Sequence, residues 1–206
     1  MSKPYEPIAF IVDDDAAICD ALSVHLGMAG IAVRTFLSAE AFLDAVDPDQ
    51  PGCAVIDIRM PGMDGLDLQR EMNRRGLVLP VIVITGHGDV PAAVAAFRSG
   101  ALDFLQKPFD EEVLIERIRE GIAKDVEQRR TAIEVAEIRQ RVASLSPRER
   151  QVMDRVAEGD SNKVVALKLG IGVRTVETHR ARVMEKTGAK SVSELARMRI
   201  RLQDAP

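Results

Sequence analysis

Ile8-Ala9-Phe10-Ile11-Val12-Asp13-Asp14-Asp15 joins five apolar residues to three carboxylates. A run this short, apolar on both faces, suits a strand buried in a parallel sheet. The same shape recurs downstream. Ile31-Ala32-Val33-Arg34-Thr35 reads as a second strand, and Cys53-Ala54-Val55-Ile56 as a third that ends at Asp57. Val81-Ile82-Val83-Ile84 reads as a fourth, ending at Thr85, and Ala101-Leu102-Asp103-Phe104-Leu105 as a fifth, ending before Lys107-Pro108. Helical spacing fills the gaps. Ile18, Leu22 and Leu26 follow a cap at Asp15, and Phe42, Leu43 and Val46 follow a cap at Ser38. Leu66 to Arg75 stops at Gly76, Asp89 and Pro91 open a helix that runs to Gly100, and Asp110 opens one carrying Val113, Leu114, Ile118 and Ile122. Five strands alternating with five helices predict a parallel α/β sheet covered on both faces.

Functional groups of such a sheet gather at the carboxyl ends of its strands. Asp13, Asp14, Asp57, Thr85 and Lys107 all fall there. Three carboxylates at one edge repel each other, so a cation is expected among them. A hard divalent ion such as Mg²⁺ (or Mn²⁺) takes carboxylate, carbonyl and water oxygens and sits beside phosphoryl groups. Lys107 and Thr85 would complete a cradle for such a group, with Asp57 as the nucleophile that forms an acyl phosphate. The chain has no G-x-x-x-x-G-K-[ST] loop, so the phosphoryl group is expected to come from another molecule rather than from bound ATP.

Composition narrows the classes further. Of 206 residues, 46% are apolar and 29% charged, which excludes a disordered or fibrous chain. No apolar window reaches the length of a membrane span and no signal peptide is read, so a cytoplasmic, membrane-free protein is expected. Cys19 and Cys53 cannot hold a metal alone and are read as plain thiols, while His25, His87 and His179 show no ligand spacing. His25 reads as structural. His87 either tunes a phosphoryl lifetime or is a solvated loop residue. The net charge of −4 conceals a division. Residues 1–124 carry 11 basic against 20 acidic side chains, whereas the remainder carries 17 against 12. An acidic half joined to a basic half predicts two domains, the second suited to nucleic acid.

The second half reads as helical throughout. Residues 123–144 lack Pro and Gly and place Val135, Ile138, Val142 and Leu145 at helical spacing, a helical connector that could continue the helix from Asp110. Ser146, Pro147 and Glu149 form a capping box with Pro in the first turn, ahead of Val152, Met153 and Val156. Asn162 to Leu169, with Ala166 and Leu169 inward, then Gly170-Ile171-Gly172, then Val173 to Lys186 read as helix, turn and basic helix. Val176, Val183 and Met184 form the inner face of the basic helix, and Ser191 caps a last helix with Leu195 and Met198. The expected domains are 1–123, a linker over 124–144, and 145–206.

Residues 7–122 resemble the receiver domains of two-component systems, through Ile11-Val12-Asp13-Asp14, Asp57-Ile58-Arg59-Met60-Pro61-Gly62-Met63-Asp64-Gly65, Thr85-Gly86-His87 and Lys107-Pro108-Phe109. The resemblance implies a flavodoxin-like sheet of order 2-1-3-4-5. It implies phosphoryl transfer from a sensor histidine kinase to Asp57. It also implies a metal held by Asp13 (through water), Asp14, Asp57 and the backbone carbonyl of Arg59, a cis Lys107–Pro108 bond, and Thr85 and Phe104 switching together. Residues 145–201 resemble the LuxR/NarL-type four-helix DNA-binding domain, through Leu145-Ser146-Pro147-Arg148-Glu149, Asn162-Lys163, Val173-Arg174-Thr175-Val176-Glu177-Thr178-His179, Lys186-Thr187-Gly188-Ala189 and Ser191. On that resemblance Thr178, Ala181 and Arg182 are base-edge candidates. Lys163, Arg174, Thr175 and Lys186 are phosphate-contact candidates, and His179 is structural or phosphate-contacting.

Together the chain is similar to response regulators of the NarL/FixJ subfamily. That likeness implies a non-enzymatic transcription activator. It would be phosphorylated by a sensor kinase, homodimerise, bind double-stranded promoter DNA and engage RNA polymerase, at genes of nitrogen fixation or low-oxygen respiration, or of an aromatic-degradation pathway. A Mg²⁺-dependent phosphatase using Asp57 is the alternative. Such enzymes need an acid two residues after the nucleophile, where this chain has Arg59.

Overall fold

The computed structural model describes residues 6–86 and 90–204. The chain divides into two compact units, Met1–Arg129 and Arg130–Pro206.

In the first unit five strands, β1 (Ile8–Val12), β2 (Ala32–Phe36), β3 (Gly52–Asp57), β4 (Val81–Thr85) and β5 (Asp103–Gln106), form one parallel sheet in the order β2-β1-β3-β4-β5. β2 and β5 each lie slightly later in the chain than the apolar runs suggest. At β5 the reason is visible: Ala101 N still donates to Ala96 O, and Leu102 N is the first to reach across to Val81 O.

Alternate strand residues serve opposite faces, as strand geometry requires. Phe10, Val12, Ala54, Ile56, Val81 and Val83 pack with α2 (Ala39–Ala45), α3 (Gly65–Arg75) and α4 (Val90–Arg98). Ala9, Ile11, Cys53, Val55, Ile82 and Ile84 pack with α1 (Ala16–Met28) and the first half of α5 (Glu111–Ala143). Three of the chain's six phenylalanines, Phe10, Phe36 and Phe42, meet with ring centroids 5.4 to 6.5 Å apart. Removing a ring buried this fully costs about 3–5 kcal/mol. Asp15 caps α1 through Ala17 N and Ser38 caps α2 through Ala41 N, as their positions in the sequence predict. Asp89, expected to cap α4, and His87 lie outside the described residues.

The stretch expected as a linker is divided. α5 is one continuous helix of 33 residues. Asp125 is fully buried in the first unit, whereas Ile138 and Val142 are buried in the core of the second. In that second unit α6 (Pro147–Ala157), α7 (Asn162–Leu169), α8 (Val173–Thr187) and α9 (Val192–Asp204) close over Val152, Met153, Val156, Val165, Val176, Val183 and Leu195. The capping box forms: Glu149 N donates to Ser146 Oγ, and Ser146 N donates to Glu149 Oε2. α7 buries Ala166 and packs partly buried Leu169 against the same core, as the sequence reading expects, and adds Val165 to that face.

Candidate functional site

At the carboxyl edge of the sheet, β1 and β3 lie side by side and β5 ends two strands from β3. Their terminal residues converge. Lys107 Nζ lies 2.6 Å from Asp13 Oδ2 and 2.7 Å from Asp57 Oδ1. Both acids are buried, at 1% and 5% exposure. Their second oxygens are held by the backbone: Asp15 N donates to Asp13 Oδ1 at 3.0 Å and Arg59 N to Asp57 Oδ2 at 2.6 Å. Burial, with the Asp13 charge beside it, lifts the Asp57 carboxyl above its ordinary range although Lys107 and the Arg59 amide pull it down. Burial alone would lower Lys107, but its bonds to Asp13 and Asp57 outweigh burial and hold the ammonium charged.

The expected trio of acids is therefore a buried pair joined by Lys107. Asp14 is exposed, and among the described residues no three His, Cys, Asp or Glu side chains form a ready-made metal cage. The donor set still fits Mg²⁺, which keeps several waters and needs only one or two carboxylates.

Thr85 is fully buried at the end of β4, and its carbonyl accepts from Lys107 N at 2.7 Å, which binds the two strand ends together. Phe104 pairs in register with Val83, so Thr85 and Phe104 are diagonal neighbours on one face of the sheet. Phe104 is half-buried against the core there. The Lys107–Pro108 bond is cis.

Two supports of this edge are given no role by periodicity or capping, although Gly65 closes the receiver-like stretch from Asp57. A Cβ on Gly65 would lie 2.2 Å from the Asp57 carbonyl oxygen, so only glycine lets α3 begin that close. Glu40, on α2, accepts from Met63 N at 3.3 Å and so ties down the loop after Asp57. Periodicity and capping patterns are local, and both of these contacts are tertiary.

In the second unit, Arg174, Thr175, Thr178, Ala181 and Arg182 are all exposed along one side of α8, opposite buried Val176, Val183 and Thr187. Lys163 is exposed on α7. Among the described residues Lys163, Arg174 and Arg182 have no ion-pair partner, unlike Lys168, which is bound to Asp160 at 2.8 Å. Thr178 Oγ1 donates to Arg174 O at 3.0 Å. Arg180 donates to Asn162 Oδ1 at 2.9 Å and so fixes α8 against the start of α7. Lys186, the remaining phosphate-contact candidate, has a partner here: its ammonium lies 2.6 Å from Glu149 Oε2, with Ser144 O at 3.4 Å, beside the capping box of α6. His179 is half-buried. His25 lies 3.0 Å from Glu111, as a surface link between α1 and α5.

Residues 9–119 match the response regulator receiver domain, and residues 143–199 match the bacterial regulatory proteins of the luxR family. Transcriptional regulatory protein FixJ of Azorhizobium caulinodans is 47% identical over 196 residues, covering 95% of this chain and 93% of that one. Response regulator protein TodT of Pseudomonas putida strain F1 is 42% identical over 198 residues, 96% of this chain and 87% of its own. Among solved structures, response regulator StyR is 38% identical with a TM-score of 0.85, covering 95% of this chain and 98% of that one. Full-length FixJ from B. japonicum is 43% identical with a TM-score of 0.60, at 98% and 100% coverage. None of the described helices is long and apolar enough to cross a membrane. Matched along nearly its whole length and not in one half alone, the chain belongs to the response regulators, with a receiver domain followed by a luxR-type DNA-binding domain.

Proposed function

We propose that the chain is an Asp57-phosphorylated transcription activator whose phosphodonor is the histidine of a sensor kinase. The observation that carries this reading is Lys107 Nζ between buried Asp13 and Asp57, at 2.6 and 2.7 Å. An oxygen of Asp57 attacks phosphorus and forms the O–P bond as the P–N bond to the kinase histidine breaks. The departing imidazole keeps that bond's electron pair and takes up a proton. Asp13, Asp57 and the Arg59 carbonyl, with Asp14 at the rim, would hold Mg²⁺ or Mn²⁺, which when bound neutralises charge on the phosphoryl oxygens. Lys107 supplies a second, fixed positive charge at the same place. Thr85, at the next strand end, offers its hydroxyl to a phosphoryl oxygen, and Phe104 turns into the space so vacated.

The product then acts on DNA. Val90, Val94 and Phe97 on α4 are 76%, 42% and 51% exposed at i, i+4, i+7 spacing, an apolar stripe suited to a second receiver. Two paired chains bring two α8 helices to successive half-sites. Thr178, Ala181 and Arg182 then meet base edges, while Lys163, Arg174 and Thr175 meet phosphates. RNA polymerase is the partner on which such an activator works. FixJ-like relatives favour nitrogen-fixation or low-oxygen promoters, and TodT-like relatives keep an aromatic-degradation pathway as the second reading.

Asp57→Asn tests the reading. Wild type treated with acetyl phosphate and Mg²⁺ is expected to take up acid-labile, hydroxylamine-sensitive phosphate, and the variant to fall to background while still folded. Equal labelling of both, or labelling that survives excess EDTA, overturns the site.

A further inference from the structure

Beyond Ile118, the last fully buried residue of the expected α5 stripe, the helix keeps one face on the sheet through three residues four apart: Gly121, Asp125 and Arg129. A Cβ on Gly121 would lie 2.6 Å from Cys53 Sγ, so the helix runs closer to β3 there than any side chain allows. One turn later Asp125, fully buried, accepts from Gly52 N at 2.8 Å. Its same oxygen takes the Arg129 Nε at 2.8 Å, and Arg129 donates to Pro48 O at 2.8 Å. The contacts descend in step, from Cys53 to Gly52 to Pro48, along the amino end of the strand whose other end is Asp57. They lie beyond residue 119, where the receiver match stops.

This arrangement is poor economy as packing. A buried ion pair is often no better for stability than apolar residues of the same volume. Asp125 Oδ1 is also buried with no hydrogen-bond partner, a cost that an apolar side chain would avoid. What the carboxylate adds is direction. It fixes one turn of α5 to one peptide of β3, where an apolar contact would let the helix slide. α5 then continues without a break to Ala143, with Ile138 and Val142 in the core of the DNA-binding unit. We infer that Gly121, Asp125 and Arg129 form a clasp that couples the phosphoacceptor strand to the connecting helix, with Asp125 and Arg129 as positioning residues for the switch. Phosphorylation acts at the Asp57 end of β3, and the clasp passes any adjustment of that strand to α5. Without it, α5 drifts and the DNA-binding unit no longer registers the state of Asp57.

The inference rests on the proposed function, and its test separates the two. Full-length wild type, Arg129→Gln and Asp125→Asn are labelled with acetyl phosphate and Mg²⁺. Their affinities for a duplex enriched by phosphorylated wild type are then measured with and without the donor. Arg129 lies at the open, partly exposed end of the clasp, and circular dichroism checks that each variant is folded before its affinity is read. Both variants are expected to label within about twofold of wild type. The ratio of phosphorylated to unphosphorylated affinity is expected to fall at least about fivefold in Arg129→Gln, as for an allosteric coupling of ordinary size. If wild type responds and Arg129→Gln responds equally, the clasp is only structural and the inference is overturned. If wild type labels but its DNA affinity ignores phosphorylation, the proposed function fails and takes the inference with it.

Discussion

Glu149 is nearly buried, accepts from Ser146 N and faces Lys186 at 2.6 Å. Lys186 and the Ser146 amide hold its carboxyl down to about 2, from an ordinary 4.5. A folded pKa below the unfolded one means the unfolded chain binds the proton first. The pair therefore stabilises the fold fully above about pH 4.5, and that contribution is lost as pH falls toward 2. Glu149→Gln removes the charge but keeps the shape. The variant is expected to melt below wild type at pH 6, with the gap narrowed by pH 3 and closing toward pH 2, in thermal denaturation followed by circular dichroism. A gap that stays constant across that range would count against the ion pair. The same geometry gives Lys186 a partner that the sequence reading did not name. A lysine near the end of a basic helix looks available for phosphate, and nothing local shows that an acid 37 positions earlier has claimed it.

At the scale of elements, the junction from β3 into α3 is the most demanding. Gly65 N donates to Ile58 O at 2.9 Å, and the missing side chain lets the helix start against the Asp57 carbonyl. Gly65→Ala puts a methyl 2.2 Å from a backbone oxygen that has little room to yield. Overpacking of this kind costs about 1–3 kcal/mol. Because the strain falls on the peptide of Asp57 itself, labelling by acetyl phosphate should drop more steeply than melting temperature. A variant that labels normally while melting lower would place the strain elsewhere. The strands were legible because buried parallel strands are short apolar runs, and the site was legible because its acids end those runs at Asp13 and Asp57. Helix caps were legible for a local reason: Asp15, Ser38, Ser146 and Ser191 each bond within three residues. The long-range contacts were not. Gly52 N meets Asp125 across 73 positions, and α5 shows no break between its buried halves because neither Pro nor Gly marks a boundary there.

For the whole molecule, the question is how one phosphoryl group changes affinity for DNA when the receiver contributes no base contact. Of the contact candidates in one second unit, three cations have no ion-pair partner among the described residues, Lys163 on α7 and Arg174 and Arg182 on α8, too few for tight binding near physiological salt. Joining two chains turns the second half-site encounter into an intramolecular one, and effective concentration then multiplies two weak affinities. The surface proposed for that joining is α4, where Val90, Val94 and Phe97 leave an apolar stripe uncovered. Phe97 is the largest of the three, and at 51% exposure it can be changed without opening the core. Phe97→Asp puts a charge at the carboxyl end of the stripe. In analytical ultracentrifugation, acetyl phosphate should shift wild type from monomer to dimer and leave Phe97→Asp a monomer. Labelling at Asp57 should be equal in the two. The variant's DNA affinity should then match unphosphorylated wild type whether or not it is labelled. If Phe97→Asp still dimerises on phosphorylation, the pairing surface lies elsewhere. If it stays monomeric yet binds DNA as tightly as phosphorylated wild type, pairing is not the step that phosphorylation controls.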